Sequence, residues 1–126
     1  MFDIKILLLI GSGGFAGSIL RYIISMGIQN RFLSSFPYGT LSVNIIGSFL
    51  IGVVYALVER GNLSPEVRIF LATGLLGGFT TFSAFSLDAL NLLQEGLWVE
   101  GVSYIIISVI LGIAFAFLGL LTIKLF

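Results

Sequence analysis

Residues 74–86, Gly-Leu-Leu-Gly-Gly-Phe-Thr-Thr-Phe-Ser-Ala-Phe-Ser, place glycines and hydroxyl side chains in the middle of a long apolar run. Inside a bilayer an unpaired backbone group costs several kcal/mol, so broken backbone is tolerated only where protein or a water-lined cavity satisfies it. The tandem glycines Gly77 and Gly78, next to Thr80 and Thr81, therefore predict a helix broken mid-membrane. We expect an ion to lie at that depth.

The composition defines the class of protein. Of 126 residues, 58% are hydrophobic and 10% are charged, against about 25% charged in ordinary globular chains, which indicates an integral membrane protein. The chain has no cysteine or histidine, which excludes disulfides, thiol chemistry and imidazole metal sites. Without those residues or an embedded carboxylate pair there is no credible general base, so we do not expect an enzyme. A net charge of zero gives no reason to expect nucleic acid as a partner.

Four apolar runs, each long enough to cross about 30 Å of hydrocarbon at about 1.5 Å per residue, predict a single four-helix transmembrane domain over residues 1–126. Ser64, Pro65 and Glu66 form a typical helix start before the third run, with an N-cap, a first-position proline and an acid in the first turn. The predicted spans are residues 4–28, 39–58, 67–93 and 102–126. We place Trp98 in the last link, as an interfacial aromatic anchor.

We expect a multi-pass protein of the cell membrane, and the basic residues near the span ends indicate a weak bias in its orientation. Lys5, Arg60, Arg68 and Lys124 fall on the side of the termini and Arg31 on the other side. This favours cytoplasmic termini, but so few charges leave mixed insertion open. Small residues at four-residue spacing, at 13 and 17 and again at 108, 112 and 116, predict close helix packing within or between subunits. We expect an oligomer.

Polar residues inside the spans are functional candidates because burial in lipid is expensive. Arg21 lies near the far end of the first span, where its side chain either snorkels to the interface or forms a positive vestibule that concentrates anions. Asn44, in the second span, either makes a structural interhelical hydrogen bond or lines a pathway. No acidic residue occupies the centre of a span, and Asp88 lies in the outer half of the third. That counts against a proton-coupled cation exporter, which usually needs a buried carboxylate.

Phenylalanines recur every third residue at positions 79, 82 and 85, interleaved with hydroxyl side chains. Such a stripe is usually packing, but phenyl rings have electropositive edges. With hydroxyl and amide donors these edges can replace the hydration of a small anion without a full charge that would hold it too tightly. Tyr104 and Ser108 would extend the donor series on the last span. Backbone carbonyls freed around Gly77 and Thr80 suit a small hard cation.

These residues resemble the Fluc/CrcB family of fluoride channels over essentially the whole chain. The likeness rests on Gly-Thr-Leu at 39–41, Val43-Asn44, and the long string from Thr73 to Ser86. The resemblance implies an all-α membrane protein with four transmembrane helices per subunit, the third broken mid-membrane, in an antiparallel, dual-topology homodimer. It also implies two fluoride pores per dimer and a central structural sodium ion (Na+), held by the backbone carbonyls of Gly77 and Thr80.

The resemblance also implies roles for individual side chains. The fluoride pathway would comprise Asn44, Phe82 and Phe85, a hydroxyl track of Ser83, Tyr104 and Ser108, and Arg21 in the first span. Two positions depart from the family pattern, since Ala84 and Gly112 stand where hydroxyl side chains are often found. Both departures bear on the conduction rate or the detailed path.

The sequence leaves three functions to consider. The first is a passive fluoride-selective channel that exports cytoplasmic fluoride and lowers its toxicity. The alternative is a small dual-topology multidrug or guanidinium-type exporter, against which the missing mid-span glutamate of the first helix counts. The third is a non-transporting structural subunit, which leaves the embedded Thr/Ser/Phe break unexplained.

Overall fold

The computed structural model describes residues 2–126, and over these residues the chain is helical apart from short links. Four helical stretches are long and apolar enough to cross a membrane, at Ile4–Gln29, Tyr38–Glu59, Pro65–Gln94 and Trp98–Leu125. The prediction of a four-span membrane protein is confirmed. The elements are α1 (Ile4–Gln29), α2 (Tyr38–Glu59), α3 (Pro65–Arg68), a π-helical segment (Ile69–Leu76), α4 (Gly77–Phe79), α5 (Phe82–Gln94) and α6 (Trp98–Leu125).

Two helices begin earlier than the apolar runs predict, because polar residues form their first turns. The third span begins at Pro65, and the Ser64 hydroxyl accepts a hydrogen bond from Val67 N at 3.3 Å, as expected of an N-cap. The last helix begins at Trp98, four residues earlier than predicted. The placement of Trp98 in the link was therefore wrong, because a first turn carrying Glu100 is compatible with a helix start.

The third span is broken at Thr80 and Thr81, which have extended backbone with ψ of 156° and 122°. The break expected around Gly77–Thr80 therefore lies at the end of that stretch, since Gly77 and Gly78 are in α4 and Gly77 has helical angles of −61° and −38°. A new helix starts after the threonines because Thr81 Oγ1 accepts a hydrogen bond from Ala84 N at 3.1 Å.

The glycines permit close helix packing. A methyl group at Gly78 would lie 2.6 Å from the carbonyl oxygen of Gly14, and one at Gly13 would lie 2.8 Å from Leu75 N. A methyl group at Gly17 would overlap the Leu75 carbonyl. The spacing at 13 and 17 therefore packs α1 against the third span within one subunit, which resolves the alternative left open by the sequence.

Glycines also join α2 to α6, this time by contact with backbone carbonyls. Gly52 packs on the carbonyl of Ala116, and Gly119 packs on that of Phe49. Gly47 lies against the Thr80 methyl group, so α2 contacts both α6 and the break. Large apolar side chains such as Phe117 face outward, as a lipid-exposed surface requires. A groove between α2, α6 and the broken span results.

Candidate ion pathway

The groove at the break has a volume of about 380 Å³ and is lined by uncharged residues. It brings together most of the residues selected from the sequence, which come from three spans: Asn44, Gly77, Thr80, Phe82, Phe85 and Ser108. One side is open, where Gly77 and Phe82 are exposed. At the depth of the break, then, the chain presents amide, hydroxyl, carbonyl and phenyl groups without a formal charge.

Asn44 pairs with the backbone of the break. Its Oδ1 accepts a hydrogen bond from Thr81 N at 2.8 Å, and its Nδ2 donates one to Thr81 O at 3.1 Å. The side-chain amide thus replaces the hydrogen-bond partners that a continuous helix would give to Thr81. Buried backbone groups at membrane depth need such partners. The structural interpretation of Asn44 holds, and because the side chain also lines the groove, the pathway interpretation is compatible with it.

Arg21 also contacts the third span. Its Nε donates a hydrogen bond to the carbonyl of Gly78 at 3.1 Å, and the side chain is half-buried. It lines a separate cleft of about 110 Å³ with Thr40 and Ala84, rather than the groove. The geometry anchors this cation beside the break and does not favour free snorkelling toward the interface.

The aromatic residues form a continuous row from the open side of the groove into the core. Phe82, with 79% of its surface exposed, lies 5.5 Å from Phe85 between ring centroids. Phe85 lies 5.3 Å from Tyr104, which is fully buried. The ring of Phe36 meets Tyr104 edge-on at 5.6 Å, so loop residues before α2 complete the packing.

Of the three hydroxyls of the predicted track, only that of Ser108 lines the groove of a single subunit. Ser108 Oγ is buried in the groove wall and has no hydrogen-bond partner among residues 2–126. Tyr104 is buried behind Phe85, and its hydroxyl donates to Asp88 Oδ2 at 3.4 Å. Ser83 is exposed and bonds the Thr81 hydroxyl at 3.3 Å. A buried polar atom without a partner costs about 1–3 kcal/mol, which marks Ser108 as the hydroxyl available to a passing ligand.

The backbone oxygens of the break fit a small hard cation. Hydrogen bonds from side chains and from the ends of the helices use the carbonyls of Leu76, Gly78 and Thr81. None of these bonds uses the carbonyls of Gly77, Phe79 or Thr80. Across residues 2–126 no group of three acidic, histidine or cysteine side chains is placed to hold a metal. Carbonyl oxygens are ligands that suit hard ions, and backbone carbonyls are the cation ligands that this region offers.

Comparison with known proteins identifies the family. The model of the family described as CrcB-like protein, Camphor Resistance (CrcB), matches residues 8–120. The chain belongs to the CrcB family.

CrcB relatives of high similarity carry the name fluoride-specific ion channel FluC. The protein from Rhizobium meliloti is 50% identical over 90% of this chain and 92% of its own length. That from Phocaeicola vulgatus is 48% identical over 92% and 96%, and that from Shewanella frigidimarina is 47% identical over 89% and 90%. The resemblance stated from the sequence is confirmed, and the family is one of ion channels rather than enzymes.

Sequence reasoning missed Ser48, which lines the groove opposite α6. A signal was present, because Ser48 follows Asn44 by four residues and a helix places such residues on one face. The two departures from the CrcB pattern lie apart, since Gly112 lines the groove and Ala84 lines the cleft beside Arg21.

Proposed function

We propose that this chain forms a passive, fluoride-selective channel of the cell membrane that lets cytoplasmic fluoride leave and so lowers its toxicity. The CrcB relatives named as fluoride-specific ion channels support the substrate. The observation that carries the mechanism is the uncharged groove at the break, with an unpartnered hydroxyl and two phenyl rings at membrane depth.

A fluoride ion that has lost its hydration shell needs strong hydrogen-bond donors close to it. Asn44 uses one of its two amide N–H groups on Thr81 O, which leaves the second available to an anion. The Ser108 hydroxyl donates in the same groove, and the rings of Phe82 and Phe85 supply electropositive edges. Because no full positive charge lines the groove, the anion is bound weakly enough to leave. A narrow set of hydrogen-bond donors favours fluoride over chloride, which is larger and a weaker acceptor.

The working form we propose is an antiparallel, dual-topology homodimer with two pores. The groove is open where Phe82 is 79% exposed, so a single subunit does not enclose an ion path. A second copy of the chain laid against this side closes the groove, and the small charge bias between the two faces is compatible with both orientations.

A structural sodium ion at the dimer centre would be held by the carbonyls of Gly77 and Thr80 from both subunits. The exposure of Gly77 and the extended backbone of Thr80 support this assignment. When bound, the ion supplies a positive charge that neutralises carbonyl dipoles where the broken helices meet.

The proposed function is tested by efflux from liposomes that contain the purified protein, loaded with potassium fluoride or potassium chloride and opened electrically with valinomycin. We expect fast fluoride release with negligible chloride release. Failure of both anions to leave vesicles that contain folded protein would contradict the channel and return the exporter and structural-subunit alternatives to consideration.

The ring-edge mechanism is tested by Phe82→Ile and Phe85→Ile. Each substitution keeps apolar bulk but removes the aromatic edge, and we expect each to lower fluoride flux while the dimer stays intact. Phe15→Ile is the control, because Phe15 is exposed on α1 and lies outside the groove. Flux close to the parent value in both groove variants would refute this mechanism.

A further inference from the structure

The polar lining of α6 ends one turn after the buried hydroxyl. Ser108 and Gly112 are four residues apart, which is about 6 Å along a helix, and both line the groove. Gly112 has no side chain, so α6 offers no donor at this level. An anion that leaves Ser108 in this direction would meet an apolar wall unless another helix supplies a hydroxyl.

Helix α2 supplies that hydroxyl. Ser48 lines the same groove, and its Oγ is the atom that a methyl group at Gly112 would approach, at 3.6 Å. This is an ordinary van der Waals distance, so the hydroxyl occupies the space next to Gly112 without crowding it. Because Asn44 precedes Ser48 by one turn on the same helix face, α2 carries two donors along the groove.

The usual fate of a serine hydroxyl in a membrane helix is a bond to a carbonyl of its own helix. Several hydroxyls of this chain follow that pattern, since Ser12, Ser18 and Thr122 donate to carbonyls three or four residues earlier at 3.2, 3.1 and 2.8 Å. Ser48 makes no such bond within the part of the chain that the structure describes, and its hydroxyl is free to donate into the groove.

We propose that Ser48 contacts the anion directly and is the donor that follows Ser108, in place of a hydroxyl on α6 at position 112. The inference rests on the proposed channel function and deepens it, because it names which wall of the groove receives the ion beyond Ser108. Because a side chain at position 112 would lie next to the Ser48 hydroxyl, a serine at either position 48 or position 112 supplies a hydroxyl to the same part of the groove.

The test is fluoride efflux from liposomes with Ser48→Ala, with Ser48→Thr, and with Ser48→Ala combined with Gly112→Ser. We expect Ser48→Ala to lower fluoride flux by roughly tenfold or more, as for loss of one hydrogen bond to a charged group. Ser48→Thr keeps the hydroxyl and retains most of the flux. Gly112→Ser restores flux in the alanine background, a rescue that a packing role for Ser48 would not produce.

The control is Ser42→Ala, the same change on α2 outside the groove lining, which leaves flux unchanged. Ser48→Cys has nearly the size of serine but a weak donor, and it lowers flux even if the alanine variant fails to fold. If the parent protein releases no fluoride, the proposed function itself fails. If the parent conducts and Ser48→Ala conducts equally, or if a folded Ser48→Ala is not rescued by Gly112→Ser, the role of Ser48 is refuted and the channel stands.

Discussion

Replacing Asn44 with alanine removes the amide that pairs with both backbone groups of Thr81, at 2.8 Å to the nitrogen and 3.1 Å to the oxygen. These groups belong to extended backbone in the middle of a span, where lipid offers no substitute partner. The substitution therefore tests whether one side chain stabilises the helix break.

The expected destabilisation is set by the two groups left behind. A buried donor or acceptor that loses its partner costs about 1–3 kcal/mol, so the pair gives about 2–6 kcal/mol as a simple sum. Asn44 is half-buried and lines the groove, and water there partly replaces the lost amide. We therefore expect the free energy of unfolding to fall by about 2–4 kcal/mol.

The assay is reversible unfolding in mixed micelles by titration with a denaturing detergent, followed by far-ultraviolet circular dichroism. Asn91→Ala is the matched control, because Asn91 is exposed near the end of α5 and exposed substitutions usually change stability by less than about 0.5 kcal/mol. Amide hydrogen exchange at Thr81 supplies a local readout, and exchange there accelerates when the Asn44 acceptor is lost.

The reasoning fails if Asn44→Ala unfolds within about 0.5 kcal/mol of the parent protein and the Thr81 amide keeps its protection. That result would mean that the break is stabilised by its surroundings without the amide. Stability lost without faster exchange at Thr81 would place the effect elsewhere in the groove and would also contradict the assignment.

Two further predictions concern packing and sodium. Gly78→Ala would place a methyl group 2.6 Å from the Gly14 carbonyl, so we expect it to destabilise the protein by about 1–3 kcal/mol. Gly27→Ala is the control, because a methyl group there meets nothing within 4 Å and should be neutral or slightly stabilising. Equal stabilities of the two variants in thermal unfolding would contradict the close contact of α1 with α4. If the carbonyls of Gly77 and Thr80 hold sodium between two subunits, replacing sodium by N-methyl-D-glucamine should lower the unfolding temperature and the dimer fraction measured by light scattering. If neither quantity changes when sodium is removed, the ion has no place in the proposal.

The membrane class and the number of spans could be predicted from the sequence, because the length of an apolar run is a local property that the bilayer thickness converts directly into a crossing. The presence of a break in the third span was equally accessible, since glycines and hydroxyls are concentrated there. Its position was not. The helix stops at Thr80 and Thr81 because Asn44, 37 residues away in the chain, pairs with Thr81.

The role of the tandem glycines shows the same limit. Residue type predicted a helix break around Gly77 and Gly78, yet both are helical. What distinguishes Gly78 is the Gly14 backbone packed against it. Arg21 bonds the Gly78 carbonyl across 57 residues, a partner that no local pattern names.

The sequence predicted which residue types form the site, but not which of their side chains face the groove. Spacing fixes only the relative angles of side chains on one helix, so it placed Phe82 and Phe85 on one side of α5. The direction of that side depends on how the extended threonines reset the helix that follows. This rotation turns Ser83 outward. Ser108 faces the groove because of how α6 packs against α2.

The sequence by itself determined that the protein lies in the membrane, crosses it four times and interrupts its third crossing, because hydrophobic burial and backbone hydrogen bonding act on contiguous residues. The tertiary structure alone decided where the break lies, which glycines are indispensable for packing and which hydroxyls share the groove. Those features depend on contacts between spans, and such contacts are set by the rotation and approach of whole helices.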